Sequence, residues 1–210
     1  YGTPLTIGLI KAKLGRRGFA QDANLKTIQA GDVLQIGPFK VHTFHVCHSI
    51  PDGIGLGIET PAGLVVHTGD YKLDLTPVDN WPTDYAKLGE FAQKGVLALL
   101  ADSTNAERPG WTPSEQVIEP AFDKVFQQAK GRIIIATFAS LISRMQQAIN
   151  TAVRYHRKIA FVGLSMTENV RIAKELGYIN FEDDLEVPLE TALQLPDEQV
   201  LLLVTGSQGE

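Results

Sequence analysis

The sequence predicts an α/β protein built in two parts. In the first part, short β-branched and aromatic segments separated by Gly- and Pro-containing turns predict a sheet of hairpins that reaches about residue 68. From about residue 112, apolar strand segments alternate with helical patterns, which is typical of a parallel, Rossmann-like sheet. We therefore expect two domains, 1–112 and 113–210.

Composition excludes several classes of protein. The chain has 210 residues, of which 44% are hydrophobic and 20% charged, as in an ordinary globular protein. No apolar run approaches the ~20 residues that a membrane span needs, so no membrane association is expected. A single cysteine rules out an internal disulfide and favours a cytoplasmic location. The net charge of −5 argues against indiscriminate coating of nucleic acid but not against a local basic channel.

The first strand of interest covers residues 39–46. Side chains alternate between the two faces of a strand, so if this strand continues to residue 48, then His42, Phe44 and His48 share one face and His45 points to the other. His42 and His45 are expected to be half-buried or exposed on the sheet. Only His48 leaves the sheet in a loop, where a ligand and a plain loop histidine are equally expected.

The next hairpin ends in a second candidate. Residues 55–59 and 64–67 predict two strands around the turn at 60–63, and His67 is expected to be a strand residue. Gly69 then lets the backbone come close to another group, and Asp70 offers an anionic oxygen suited to a cation. A turn aspartate that caps local amides is the competing interpretation.

The remaining elements are predicted from periodicity and end signals. Thr3 is the expected N-cap of a first helix with Leu5, Leu9, Ile10 and Leu14 inward. Residues 96–100 predict a strand buried on both faces, with Asp102 just past its end. Ser114 is the expected N-cap of a helix that reaches about residue 130, with five apolar side chains inward: Val117, Ile118, Phe122, Val125 and Phe126. The other predicted helices cover 84–93, 141–156 and 167–176, and the other strands 132–136, 158–162 and 200–205.

Two further loops are candidate sites. Asp102 lies in a loop rich in Ser, Thr and Asn, where an Asx turn is the simplest role. Gly206, Ser207 and Gln208 follow the last strand, where backbone amides at the end of a parallel strand can bind a phosphate.

Several motifs together resemble a known family. Residues 48–52 (His-Ser-Ile-Pro-Asp) and 67–72 (His-Thr-Gly-Asp-Tyr-Lys) are similar to two metal-binding motifs of ribonuclease J, a metallo-β-lactamase-fold nuclease of the β-CASP group. The resemblance continues, in the family's order, in three later segments and in residues 1–6; the later segments are 101–110, 136–140 and 205–210.

The resemblance implies a fold and a chemistry. Residues 1–112 would be part of a metallo-β-lactamase αββα sandwich, and 113–210 part of a β-CASP domain. The full-length protein would be an endo- or 5′–3′ exoribonuclease with two zinc ions per active site, and a homo-oligomer. His48 would be a zinc ligand, Asp70 would bridge both ions, and Asp102 would orient a ligand or assist proton transfer. Ser49, with the loop at 206–208, would contact RNA.

The family pattern is incomplete in this chain. The upstream motif of the form HxHxDH and a downstream ligand histidine have no counterpart, so we expect this chain alone to have an empty or partial metal site and to be inactive. Leu164 stands where the family often has arginine. Two alternatives stay open: a hydrolase of another substrate on the same fold, and a non-catalytic nucleotide-binding or scaffold module.

Overall fold

The computed structural model describes residues 1–19 and 23–205. The chain divides into two compact units, Tyr1–Ser114 and Glu115–Glu210, and each contains its own sheet. The predicted α/β class is confirmed, with a mixed sheet followed by a parallel sheet. The family assignment of the two predicted domains stays a prediction. None of the helices in the described residues is long and apolar enough to cross a membrane.

The first unit carries a five-stranded sheet in which the strands lie in sequence order. Strands β1 to β4 pair antiparallel, and β5 pairs parallel to β4. The strands are β1 Val33–Ile36, β2 Phe39–His45, β3 Ile54–Thr60, β4 Gly63–His67 and β5 Val96–Leu100. The helices are α1 Pro4–Arg16 and α2 Tyr85–Lys94, close to their predicted bounds.

Two glycines in β3 make room for the aromatic core of this unit. The ring of Phe44 lies over Gly55, where an added Cβ would meet its ζ-carbon at 2.3 Å. The ring of Phe91, from α2, lies over Gly57, where the same distance would be 2.2 Å. Both rings are almost fully buried and meet edge to face, with centroids 5.8 Å apart. Val46, Leu64 and Val66 complete the cluster.

The prediction that residues 96–100 are buried on both faces is wrong for the described chain. These residues do form β5, but all five are exposed. The physical reason is position, because β5 is the edge strand of the described sheet and pairs with β4 alone. The continuous apolar run predicted the strand correctly. Whether the strand is buried depends on which other elements pack against it, and the run gives no information about them.

Helix α1 is capped differently from the prediction. Thr3 occupies the N-cap position, but its hydroxyl donates to Thr6 Oγ1 at 3.0 Å and makes no cap hydrogen bond. The helix buries Leu5, as predicted, together with Ile7, whereas Ile10 is 36% exposed.

The second unit contains a three-stranded parallel sheet in the order β6-β8-β7, so the predicted parallel sheet is confirmed. Its strands are β6 Ile133–Ala136, β7 Lys158–Val162 and β8 Val200–Val204. Its helices are α3 Ile118–Gln128, α4 Ile142–Arg154, α5 Leu164–Glu175 and α6 Leu189–Ala192, with short 3-10 turns at Glu115–Val117, Asp183–Leu185 and Asp197–Gln199.

The inward face of α3 was only partly predicted. Phe126 is buried, but Val117 and Val125 are about half exposed. A 3-10 turn precedes the α-helix, which begins at Ile118, so the chain enters the helix with a different phase from the predicted one. The residue before the α-helix is Val117, which makes no side-chain cap hydrogen bond, and the hydroxyl of Ser114 donates to Thr76 O at 2.8 Å.

A buried arginine connects several segments of the second unit by hydrogen bonds. Arg157 is 3% exposed, and its guanidinium donates to four carbonyl oxygens, of Ala129, Gly131, Asp197 and Val200, at 2.8–3.4 Å. It also lies over the ring of Phe126, 5.8 Å from the centroid. These acceptors compensate the loss of hydration, because a buried cation is tolerated only when its donors are satisfied.

Candidate active site

Three loops meet at one edge of the first sheet. Strands β2 and β4 run in the same direction because each is antiparallel to β3, and β5 is parallel to β4. Their carboxyl ends therefore lie at the same edge. His48, Asp70 and Asp102 each follow one of these strands within two or three residues.

Hydrogen bonds join the three loops directly. Lys72 N donates to Cys47 O at 2.7 Å, which joins the loop after β4 to the loop after β2. Thr68 N donates to Leu100 O at 3.0 Å, and Asp102 N donates to Thr68 Oγ1 at 3.1 Å. The topology thus brings the three predicted site residues into neighbouring, mutually bonded segments.

His48 is exposed at the edge of the sheet, and its Nδ1 lies 3.2 Å from Ser49 Oγ. Strand β2 ends at His45, so the predicted alternation does not extend to His48. His42 and Phe44 do share a face, since both contact the ring of Phe91.

Asp70 is exposed and follows a glycine that the backbone requires. Gly69 has φ +62°, and a Cβ there would lie 2.9 Å from Ile54 O. The close approach that the sequence predicts is therefore to the backbone at the start of β3. The left-handed conformation of Gly69 turns the chain out of β4 and leads it to Asp70.

Asp102 organises its own loop and reaches the next one. Its Oδ1 accepts from Thr104 Oγ1 at 2.7 Å and from Thr104 N at 2.9 Å, which is an Asx turn. These bonds lower the pKa of Asp102 below its ordinary value, with smaller contributions from the backbone N–H of Tyr71 and the charge of His48. The carboxylate is therefore ionised at neutral pH and bonded to the residue that follows Asp70.

The prediction that His42 and His45 are half-buried or exposed is wrong, because both are buried. His42 Nε2 lies 3.0 Å from Glu59 Oε1. His45 places Nδ1 2.8 Å from Pro82 O and Nε2 3.0 Å from Pro51 O. A neutral imidazole has one N–H, so one of the two carbonyl oxygens accepts from a neutral His45 ring, and such a bond offsets part of the cost of burying it.

His67 is the last residue of β4, as predicted, and its Nδ1 accepts from Gly69 N at 2.9 Å. It therefore stabilises the turn that leads to Asp70.

Asp52 is a residue of this region that sequence reasoning missed. It is 4% exposed, and its Oδ2 accepts from Leu5 N at 2.8 Å, in the first turn of α1. The bond satisfies one of the N–H groups that a helix start leaves without an intrahelical acceptor. The partners are separated by 47 positions, so no local pattern could have revealed them.

His48 and Asp70 supply two of the ligand types that zinc prefers. An imidazole nitrogen from His48 and a carboxylate from Asp70, both exposed and on adjoining loops, are suitable zinc ligands. However, no group of three or more His, Cys, Asp or Glu side chains in residues 1–19 and 23–205 is arranged to hold a metal ion. The described residues therefore fit part of a zinc site and do not complete one.

A surface cavity of about 340 Å³ adjoins Asp102. Its walls come from the segment after Asp70 and from the loop after β5, and Trp111 is 91% exposed at its rim. The polar and charged side chains lining it include those of Tyr71, Lys72, Asp102, Thr104, Asn105 and Thr112.

The other predicted contacts to RNA are only partly described. Ser49 is half-buried beside His48. Gly206, Ser207 and Gln208 lie outside the described residues, so their predicted role stays a prediction.

Comparison with known proteins gives consistent matches. Residues 130–210 match the family model "Ribonuclease J, beta-CASP domain". The whole chain is 49% identical to a ribonuclease J of Thermus thermophilus and 46% identical to one of Helicobacter pylori, covering 37% and 30% of those proteins. The chain thus spans about a third of the length of these curated relatives.

A solved structure gives independent support for the fold. The structure titled as a protein of unknown function from Enterococcus faecalis V583 aligns with a TM-score of 0.70 at 16% identity, covering 100% of this chain and 53% of that one. The resemblance inferred from the motifs is confirmed: over its full length this chain is similar to a central segment of ribonuclease J, and residues 130–210 match the β-CASP domain of that family.

Proposed function

We propose that the protein containing this chain is a ribonuclease J-like hydrolase that cleaves RNA phosphodiester bonds as an endo- or 5′–3′ exonuclease. The observation that carries the proposal is the meeting of the His48, Asp70 and Asp102 loops at one sheet edge, in a chain similar throughout to proteins named ribonuclease J. A catalytic centre built from loops on a rigid sheet is a common arrangement in enzymes.

Zinc is the proposed cofactor, with His48 and Asp70 as two of its ligands. The remaining ligands would come from parts of the full-length protein outside the described residues, since the described set is incomplete. Zinc supplies Lewis acidity, which activates water and neutralises phosphate charge. Asp102 keeps a negative charge beside Tyr71 and would orient the Asp70 loop, which is a positioning role.

The cavity beside Asp102 is the proposed place for a nucleotide of the RNA strand. Trp111 offers an exposed aromatic face on which a base can stack, and stacking tolerates any base. Lys72 in the cavity wall offers a cation for phosphate, although it lies 3.9 Å from Asp74 and is partly neutralised. An aromatic face and a cation beside a catalytic edge suit single-stranded RNA.

Homo-oligomer formation by the full-length protein and a cytoplasmic location stay predictions. So does the inactivity of the isolated chain, for which we expect weak, salt-sensitive RNA binding and less than stoichiometric zinc.

Replacing Asp70 with Ala in the full-length protein tests the proposed function. We expect zinc content to fall and kcat on 5′-monophosphorylated RNA to drop by about 10³-fold or more, a loss of the size seen when a catalytic donor is removed. Asp184→Ala is the control, since Asp184 is an exposed aspartate of the second unit. Unchanged zinc content and turnover in Asp70→Ala would contradict the assignment.

A further inference from the structure

The segment Trp81–Asp84 lies against both loops that carry the proposed zinc ligands. It stands just before α2, at the far end of the same connection that contains Asp70, and is distant in sequence from the loop that carries His48. It has no part in the family resemblance described above. It nevertheless makes hydrogen bonds with both loops.

The first set of contacts holds the loop after β2. Cys47 N donates to Thr83 Oγ1 at 3.0 Å, in a buried bond that spans 36 positions. Asp84 N donates to His45 O at 3.0 Å. This segment thus bonds the backbone before His48 at two places, His45 and Cys47.

The second set of contacts holds the loop after β4. The same Thr83 hydroxyl donates to Lys72 O at 3.4 Å, two residues past Asp70. Lys72 N in turn donates to Cys47 O at 2.7 Å. Thr83, which is 3% exposed, therefore bridges the two loops with one oxygen that accepts from one and donates to the other.

A stacked pair of rings also connects this segment to the His48 loop. The ring of His45 stacks on Trp81, with centroids 3.9 Å apart and an interplanar angle of 3°. Its two nitrogens lie 2.8 Å from Pro82 O and 3.0 Å from Pro51 O, and a neutral ring donates to one of these oxygens. The ring therefore packs between the Trp81–Asp84 segment and the far end of the His48 loop. That loop is consequently held at both ends.

We propose that Thr83 is a positioning residue, whose hydroxyl sets the separation of His48 and Asp70. The inference rests on the proposed function, since it assigns a positioning role within the same site. A hydroxyl that donates and accepts at once is the smallest group that can bond a backbone N–H of one loop and a carbonyl of the other. Thr83 acts through the backbone of Cys47 and Lys72, which lie one residue before His48 and two residues after Asp70.

The test compares Thr83→Val with Thr83→Ser in the full-length protein. Valine has nearly the same shape but lacks the hydroxyl, whereas serine keeps it. We expect Thr83→Val to lower zinc affinity and kcat by about 10-fold, with KM for RNA little changed. This is the lower end of the range for a group bonded directly to a metal ligand, because Thr83 acts only through the neighbouring backbone. Thr83→Ser should restore most of both. Thr83→Ala replaces the valine variant if that variant does not fold.

Thr43→Val is the matched control. Thr43 is 1% exposed on β2, and its hydroxyl donates to Gln29 O at 2.5 Å, with Asp32 O 3.1 Å away, on the β1 side of the sheet. Its loss should cost comparable stability without changing zinc affinity. Equal effects of the two valine variants on zinc affinity and kcat would overturn the proposal, because they would reveal only general destabilisation.

Amide hydrogen exchange separates this inference from the proposed function. In Thr83→Val, the amides of Cys47 and Lys72 should exchange faster, while those of β2 remain protected. If the wild-type protein neither binds zinc nor cleaves RNA, the proposed function fails, yet faster exchange at these two amides would still support the bridge. Unchanged exchange there would refute it.

Discussion

Gly57→Ala is expected to destabilise the first unit by displacing a core aromatic ring. The new Cβ would lie 2.2 Å from the ζ-carbon of Phe91 and 2.7 Å from both ε-carbons, well inside van der Waals contact. Phe91 is 1% exposed, so its ring has to move by more than 1 Å into a packed core or leave it. Overpacking of this kind costs about 1–3 kcal/mol.

Urea unfolding followed by tryptophan fluorescence measures this cost in the unit concerned. Both tryptophans of the chain, Trp81 and Trp111, belong to the first unit. With a slope of about 1–3 kcal/mol per molar urea, the midpoint should fall by roughly 1 M.

Gly89→Ala is the matched control, because Gly89 lies in α2 with no atom within 4 Å of an added Cβ. That variant should be stabilised by about 0.5–1 kcal/mol through helix propensity. The reasoning also predicts that Phe91→Leu costs less when residue 57 is alanine than when it is glycine. A Gly57→Ala protein as stable as the wild type, or identical costs of Phe91→Leu in both backgrounds, would refute the steric argument.

Two further predictions concern the candidate site. Asp102→Asn should destabilise the first unit at pH 7, because the lowered pKa of Asp102 means that its hydrogen bonds favour the ionised carboxylate. The stability that the carboxylate contributes is present above the ordinary pKa of 3.8 and is lost as the pH falls below that value. Thermal melts at pH 7 and pH 3 should therefore show a difference between variant and wild type that shrinks at low pH, and an equal difference at both values would contradict the assignment. Trp111→Ala in the full-length protein should raise KM for single-stranded RNA by about tenfold or more, from the ~1–3 kcal/mol of a stacked base, whereas Trp111→Phe should retain most affinity. Steady-state kinetics with both variants measure this, and equal KM values for Trp111→Ala and wild type would exclude Trp111 from binding.

Much of the fold was predictable because it depends on local pattern. The bounds of β3 and β4 follow from the turn at 60–63, and parallel pairing in the second unit follows from the alternation of strands and helices. The close backbone approach at Gly69 was also predicted, because glycine has no Cβ, and an added Cβ there would lie 2.9 Å from Ile54 O. The sequence also predicted that His48, Asp70 and Asp102 each follow a strand. That these three strands run in the same direction, so that the residues meet at one edge, was decided by the strand pairing.

Burial was less predictable, since it depends on partners distant in sequence. His42 and His45 were expected to be half-buried or exposed, yet each ring is buried, with polar partners 6 to 37 positions away. Conversely, the apolar run of β5 looks like a core strand but lies at an edge. The hydrophobicity of a segment can be read from its residues, but its burial depends on which other elements pack against it.

By itself, then, the sequence determined the class of the fold, the order of the elements, the turns and the motifs that resemble ribonuclease J. Tertiary structure alone decided that Asp52 caps α1 across 47 positions and that Thr83 bridges two loops across 36 and 11. The physical reason is the range of the forces: backbone geometry and periodicity act between near neighbours and leave a local signature. A hydrogen bond between distant segments requires only that both partners arrive at the same place, which the sequence around either partner does not record.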